Sequence, residues 1–139
     1  MCQWAWKSYI TSRGKSLVQE FYEKFDEFAW LEFKATLEYL DGQPPVNWVR
    51  PYVGTLRKEC SGLFEIRFDV GNVEYRPIGY YSGEMEFTIL YFAIEKGNKF
   101  VPPTTCKIAQ KRRKNIEEGK DKANEFWVKK RDSAKHRCK

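Results

Sequence analysis

Residues 63–94 constrain this chain more than any other stretch. Three segments of extended character follow one another there with only short turns between them. Leu63-Phe64-Glu65-Ile66-Arg67-Phe68 alternates in character, as a strand with one buried face does. Gly71-Asn72 then supplies a turn, and residues 73–80 form a second segment that Pro77 interrupts late. Ser82-Gly83-Glu84 supplies another turn before a third, strongly apolar segment over 85–94. Strands this close in sequence pair as an antiparallel meander. Pro77 brings no backbone N–H to a ladder, so it predicts an edge position or a bulge.

Around this meander the pattern changes period. Residues 4–10 read as a short first strand. Ser12-Arg13-Gly14 is a turn, and Ser16 is placed to cap a helix. Leu17, Phe21, Phe25 (or Phe28) and Leu31 recur at helical spacing, and the phase then shifts to Phe33, Leu37 and Leu40. That shift predicts two helices, over 15–26 and 27–40, with Asp26 or Glu27 near the junction. Asp41-Gly42-Gln43-Pro44-Pro45 ends them, and residues 46–60 are irregular or extended. After Val101-Pro102-Pro103 a basic helix is predicted over 104–118. Its few apolar positions suit a helix lying partly exposed over a sheet. The expected fold is α+β: a small twisted antiparallel sheet, two N-terminal helices and a C-terminal helix, with the helices on one face.

The 139 residues fit one domain, taken as 1–119, followed by a basic extension, 120–139. The last twenty residues carry eight Lys or Arg against three Asp or Glu, whereas the first 119 carry 17 against 16. Any anion site on the folded part must therefore come from local clustering. No apolar stretch is long enough for a membrane span, and the N-terminus lacks the pattern of a secretory signal, so the expected compartment is the cytoplasm. Cys2, Cys60, Cys106 and Cys138 are spread along the chain with no metal-ligand spacing, and there is a single His, His136. They read as four free thiols, with neither a metal site nor a cofactor expected.

Candidate chemistry centres on the meander. Arg67 lies on its first strand and Arg76 on the second, while Lys96 and Lys99 follow the third. Such a group, if register and face agree, binds a phosphodiester and stabilises a phosphorane. The competing reading is structural: Glu65 shares a face with Arg67 and can simply pair with it. There is no Gly-rich phosphate loop and no nucleophile with a His plausibly near it.

The order of motifs resembles the phage-derived, HigB-like branch of the RelE/ParE superfamily of toxins. The resemblance runs over about residues 6–118. It rests on Trp6-Lys7, Gly14-Lys15-Ser16, Pro51-Tyr52-Val53 with Leu56, and Gly62-Leu63-Phe64-Glu65-Ile66-Arg67. It continues through Tyr75-Arg76, the apolar strand 87–92, Glu95-Lys96 with Lys99 and Pro102, and Ala109 with Arg112. The resemblance implies a microbial-ribonuclease-like sheet and a toxin that cleaves mRNA in the ribosomal A site without a metal. It also implies a cognate helix-turn-helix antitoxin that holds the toxin silent, with the first two helices as an expected part of the contact surface. Carried across, Arg67 and Arg76 hold and neutralise the scissile phosphate. Lys96 and Lys99 contact RNA, either able to take part in proton transfer, and Arg112 and Arg113 are further RNA contacts. Tyr91 stands where many relatives carry His, and it either donates a proton, stacks on a base or packs in the core. One residue is inserted between Lys96 and Pro102 relative to the pattern. Two other functions fit the same fold: a non-catalytic inhibitor of DNA gyrase, as in the ParE branch, and an RNA-binding module that has lost cleavage.

Overall fold

The computed structural model describes residues 3–126. They form eight strands and three α-helices. β1 (Ala5–Tyr9) leads into α1 (Leu17–Lys24) and α2 (Glu27–Asp41). A 3-10 turn over Pro45–Asn47, β2 (Val53–Thr55) and a second 3-10 turn over Lys58–Cys60 follow. Then come β3 (Phe64–Ile66), β4 (Phe68–Val70), β5 (Val73–Gly83), β6 (Glu86–Lys96) and β7 (Lys99–Val101). α3 (Thr105–Glu117) and β8 (Ala123–Glu125) complete the order.

Local chemistry sets the helix ends as the sequence suggested. The Gln19 amide donates to the Ser16 hydroxyl at 3.0 Å and opens α1. The Ala29 amide donates to the Asp26 carboxylate at 2.8 Å and opens α2 at the predicted junction. At the far end of α2, buried Asp41 accepts from the Trp4 amide and from the Trp6 indole, at 2.8 and 3.0 Å. Trp4, just before β1, and Trp6 on it can therefore be buried without orphaning these polar groups.

The fold is α+β, but the sheet is mixed rather than purely antiparallel. Its order is β2-β3-β5-β6-β1-β8, with β4 also on β5 and β7 on β6. β1 runs parallel to β6, from Ala5↔Glu86 to Ser8↔Ile89. The long connection through both helices lets β1 lie beside β6 in that sense, which a hairpin cannot do. β8 adds to β1, so the sheet continues past Gly119, where the sequence suggested that the folded part ends. Residues 127–139, the bulk of the basic extension, lie outside the described residues.

The helices also occupy both faces, not one. Phe87, Ile89, Phe92 and Ile94 of β6 join Phe21, Phe33, Leu37 and Leu40 of α1 and α2 in one core. Leu90, Tyr91 and Ala93 belong to a second cluster with Ala109 of α3 and with Ile78 and Tyr80 of β5. Alternate residues of one strand thus feed two cores. The predicted single strand over 63–68 breaks at Arg67, whose amide donates instead to the Tyr52 carbonyl at 2.8 Å. Pro77 is not on an edge, since β5 has neighbours on both sides. The β3–β5 ladder ends at Glu65↔Ile78 and β4 resumes at Phe68↔Tyr75, so the proline falls where the ladder is interrupted. A bulge follows one step on, at Leu90, between Ile78↔Tyr91 and Gly79↔Ile89. The β5–β6 reversal is centred on Glu84-Met85, slightly later than Ser82-Gly83-Glu84.

The thiol reading is corrected for Cys60 and Cys106, while Cys2 and Cys138 lie outside the described residues. Cys60 and Cys106 form a disulfide, because the second 3-10 turn packs against the first turn of α3. Residues 46 apart in sequence gave no spacing signal for this. No helix among the described residues is long and apolar enough to cross a membrane.

Burial of tyrosines gives a prediction for alkaline pH. Burial pushes the Tyr81 phenol from 10.0 up to about 12. Tyr9, Tyr75 and Tyr80 are raised too, each chiefly by burial. The folded state holds these protons longer than the unfolded chain. Their contribution is therefore fully present below pH 10 and is lost as pH rises towards 12. Urea midpoints should fall across that window, with a shallower fall in Tyr81→Phe. Full phenolate absorbance in the folded protein near pH 10 would contradict this.

Candidate active-site cleft

The interruption at Arg67 positions the candidate site. Cross-strand register puts Arg76 opposite Ala93, while Glu74 lies opposite Glu95. Glu65 and Asp69 alternate with Phe64, Ile66 and Phe68, which join or pack against the α1–α2 core. Glu65, Arg67, Asp69, Arg76 and Glu95 therefore share the sheet face that α3 covers further along. Three short segments thus bring two guanidiniums and three carboxylates together.

Arg76 is saturated. Its Nε donates to Glu95 at 2.8 Å, and its Nη1 donates to Asp69 at 3.0 Å and to the Tyr75 carbonyl at 2.7 Å. Its Nη2 lies 3.6 Å from Glu74, and the side chain is only 3% exposed. Burial by itself lowers the pKa of this guanidinium. The hydrogen bonds and charges of Asp69 and Glu95 more than reverse that, and the net shift is upward. Arg76 is a hub that holds carboxylates, with little surface left for a ligand.

Arg67 is different. Its Nη1 pairs closely with Glu65 and lies 3.9 Å from Glu95, yet 21% of its side chain is exposed. Glu65 is buried, and Arg50, 67% exposed, approaches it at 3.9 Å. Gly54 makes room for this carboxylate: a Cβ there would stand 2.7 Å from the Glu65 Oε2.

Two clefts open on either side of Arg67, and both are lined by Arg50 and Arg67. The first, about 390 Å³, adds Glu65, Glu95, Lys99 and Phe100. The second, about 350 Å³, adds Pro51, Tyr52, Asp69 and Arg76. The second exists because β2 ladders only with β3, from Val53↔Ile66 to Thr55↔Phe64, and leaves the outer edge of β4 uncovered. Lys99 reaches the first cleft from the β6–β7 hairpin. The two turn residues there, Gly97 and Asn98, both take positive φ, as a tight two-residue turn requires. Three arginines and a lysine meet four carboxylates here, so the site is near neutral rather than strongly cationic.

Of the residues singled out from sequence, Arg67, Arg76 and Lys99 are brought together. Lys96 is paired with Lys99 across the hairpin but lines neither cleft. Tyr91 lies on the same face as Arg76, two residues from Ala93, but opens on a different cavity with Lys24, Phe25 and Arg112. Arg112 stacks over the Tyr9 and Tyr91 rings, 4.4 and 5.5 Å from their centroids. It also donates to the Leu90 carbonyl at 2.9 Å, at the bulge. Arg113 lies over the Tyr80 ring and donates to the Gly62 carbonyl at 3.0 Å. Both anchor α3 to the sheet. Sequence reasoning gave no site role to Arg50, Tyr52, Asp69 or Glu95, although Tyr52 and Glu95 stood in the motifs of the resemblance, and it read Glu65 as a partner for Arg67. Charge alternation on one strand was the signal for Glu65; Arg50 had none beyond its place in a turn-rich segment, and Tyr52 had only its place in the Pro51-Tyr52-Val53 motif.

No protein-family model, curated protein or solved structure matches this chain.

Proposed function

We propose that the protein is a RelE/HigB-type toxin that cuts messenger RNA on the ribosome, in the cytoplasm, and is silenced by a helix-turn-helix antitoxin. The observation that carries this reading is the buried Glu65 carboxylate, held by Arg67 at the side of an open cleft edged by Arg50 and Lys99. A carboxylate beside cations can supply the general base and the charge stabilisation that metal-independent RNA cleavage uses. Glu65 accepts the proton of a ribose 2′-hydroxyl. The 2′-oxygen bonds to the adjacent phosphorus and the bond to the 5′-oxygen breaks. Arg67 and Arg50 take the charge of the phosphorane, and Lys99 protonates the departing 5′-oxygen. The products are a 2′,3′-cyclic phosphate and a 5′-hydroxyl. Arg76 acts through Glu95, which faces the inner side of Arg67, and is a positioning residue.

Phosphate entry exchanges the Arg67–Glu65 pair for an Arg67–phosphate contact and leaves Glu65 free to take a proton. Purified protein should cut mRNA in a translation reaction, and Glu65→Gln or Arg67→Ala should lower the rate at least about 100-fold. Unchanged rates in both folded variants would overturn the assignment.

A second reading, an RNA-binding module without cleavage, draws support from the saturation of Arg76 by carboxylates. It predicts RNA binding with no cut ends in the same reaction.

A further inference from the structure

We propose that the two clefts seat the two nucleotides flanking the scissile phosphate, and that Tyr52 is the stacking platform for the base in the second. This rests on the RNA-cleaving reading and adds a substrate subsite to it. Arg50 and Arg67 line both clefts, so a phosphate held there has one cleft on each side. Each cleft also carries an aromatic ring: Phe100 in the first and Tyr52 in the second.

Tyr52 has the features of a platform. It is 37% exposed and lines the cleft, and the Tyr39 ring backs it at 4.4 Å between centroids. A ring held from behind loses little freedom when a base stacks on its open side. Its backbone carbonyl accepts the Arg67 amide, which fixes the distance from the platform to the phosphate-binding guanidinium. Asp69, 60% exposed at the cleft wall, offers a carboxylate to base N–H donors. The ligand that fits is a single-stranded ribonucleotide segment with unstacked bases.

The test uses two readouts on Tyr52→Ala and Tyr52→Phe. Replacing the side chain leaves the backbone bond to Arg67 in place, and thermal unfolding checks that both variants remain folded. The first readout is fluorescence anisotropy with single-stranded oligoadenylate whose 2′-hydroxyls are all methylated, which binds but cannot be cut. Tyr52→Ala should weaken binding at least about fivefold, the lower end of a base–aromatic stack, and Tyr52→Phe should restore it. The second is cleavage of ribosome-bound mRNA. Tyr52→Ala should raise KM more than it lowers kcat and should broaden the base preference at one position beside the cut. Equal binding by wild type and Tyr52→Ala overturns the inference, as does failure of the wild type to bind the oligonucleotide. Wild-type binding that depends on Tyr52, without any cleavage, leaves the platform standing and removes the nuclease reading instead.

Discussion

Gly79→Ala should cost more than about 4 kcal/mol, enough to leave little folded protein. Gly79 sits on β5 beside the Leu90 bulge, where the two longest strands pair. A Cβ at this position would overlap the Thr88 carbonyl oxygen and stand 2.5 and 2.7 Å from the Phe87 ring carbons Cε2 and Cζ. Phe87 is fully buried and packs against Trp6 of β1 and Trp48, so its ring has nowhere to retreat. The Thr88 carbonyl belongs to the strand itself, and moving it breaks the ladder. Gly83→Ala on the same strand is the control. Its Cβ would meet only Glu86 atoms at 3.5 Å, and its effect should stay within about 1 kcal/mol. Urea unfolding of both variants decides the matter. A Gly79→Ala protein as stable as Gly83→Ala would mean that the bulge is not packed as described.

The second large effect concerns Cys60 and Cys106. Their disulfide closes a loop with a sequence separation of 46. Loop-closure entropy assigns such a bridge about 4 kcal/mol of stability. It also ties the turn before β3, which carries Glu65 and leads into Arg67, to the start of α3, which follows the strand carrying Lys99. Reduction should therefore lower the melting temperature by about 10 °C or more and loosen both walls of the first cleft. The Cys60→Ala/Cys106→Ala variant should melt like the reduced protein and should not respond to reductant. A melting temperature indifferent to reductant in the wild type would show that Ala109, Leu63 and Ile78 hold α3 without the bridge. That distinction matters for a protein proposed to act in a reducing compartment, where the pair would stand as adjacent thiols.

Much of the frame was legible in the chain. Ser16 and Asp26 announce two helix starts, and short turn signals announce the β3–β7 region, because capping and tight turns are local chemistry. What depended on distant segments was not legible. The parallel placement of β1 on β6, the second core under α3 and the Cys60–Cys106 pair each join residues far apart in sequence. The basic positions were visible, but their roles were not. Arg76 reads as a phosphate ligand until the register brings Asp69, Glu74 and Glu95 onto it. Arg50 and Tyr52, in a segment without periodicity, acquire meaning only when β2 leaves the edge of β4 open.

The most direct test of the central claim is to map mRNA 5′ ends in bacteria induced for the wild type and for Arg67→Ala, with no antitoxin present. The account predicts growth arrest with new 5′-hydroxyl ends inside translated frames for the wild type and neither for the variant. Arrest by soluble wild-type protein without new ends, or the same ends with Arg67→Ala, would contradict it.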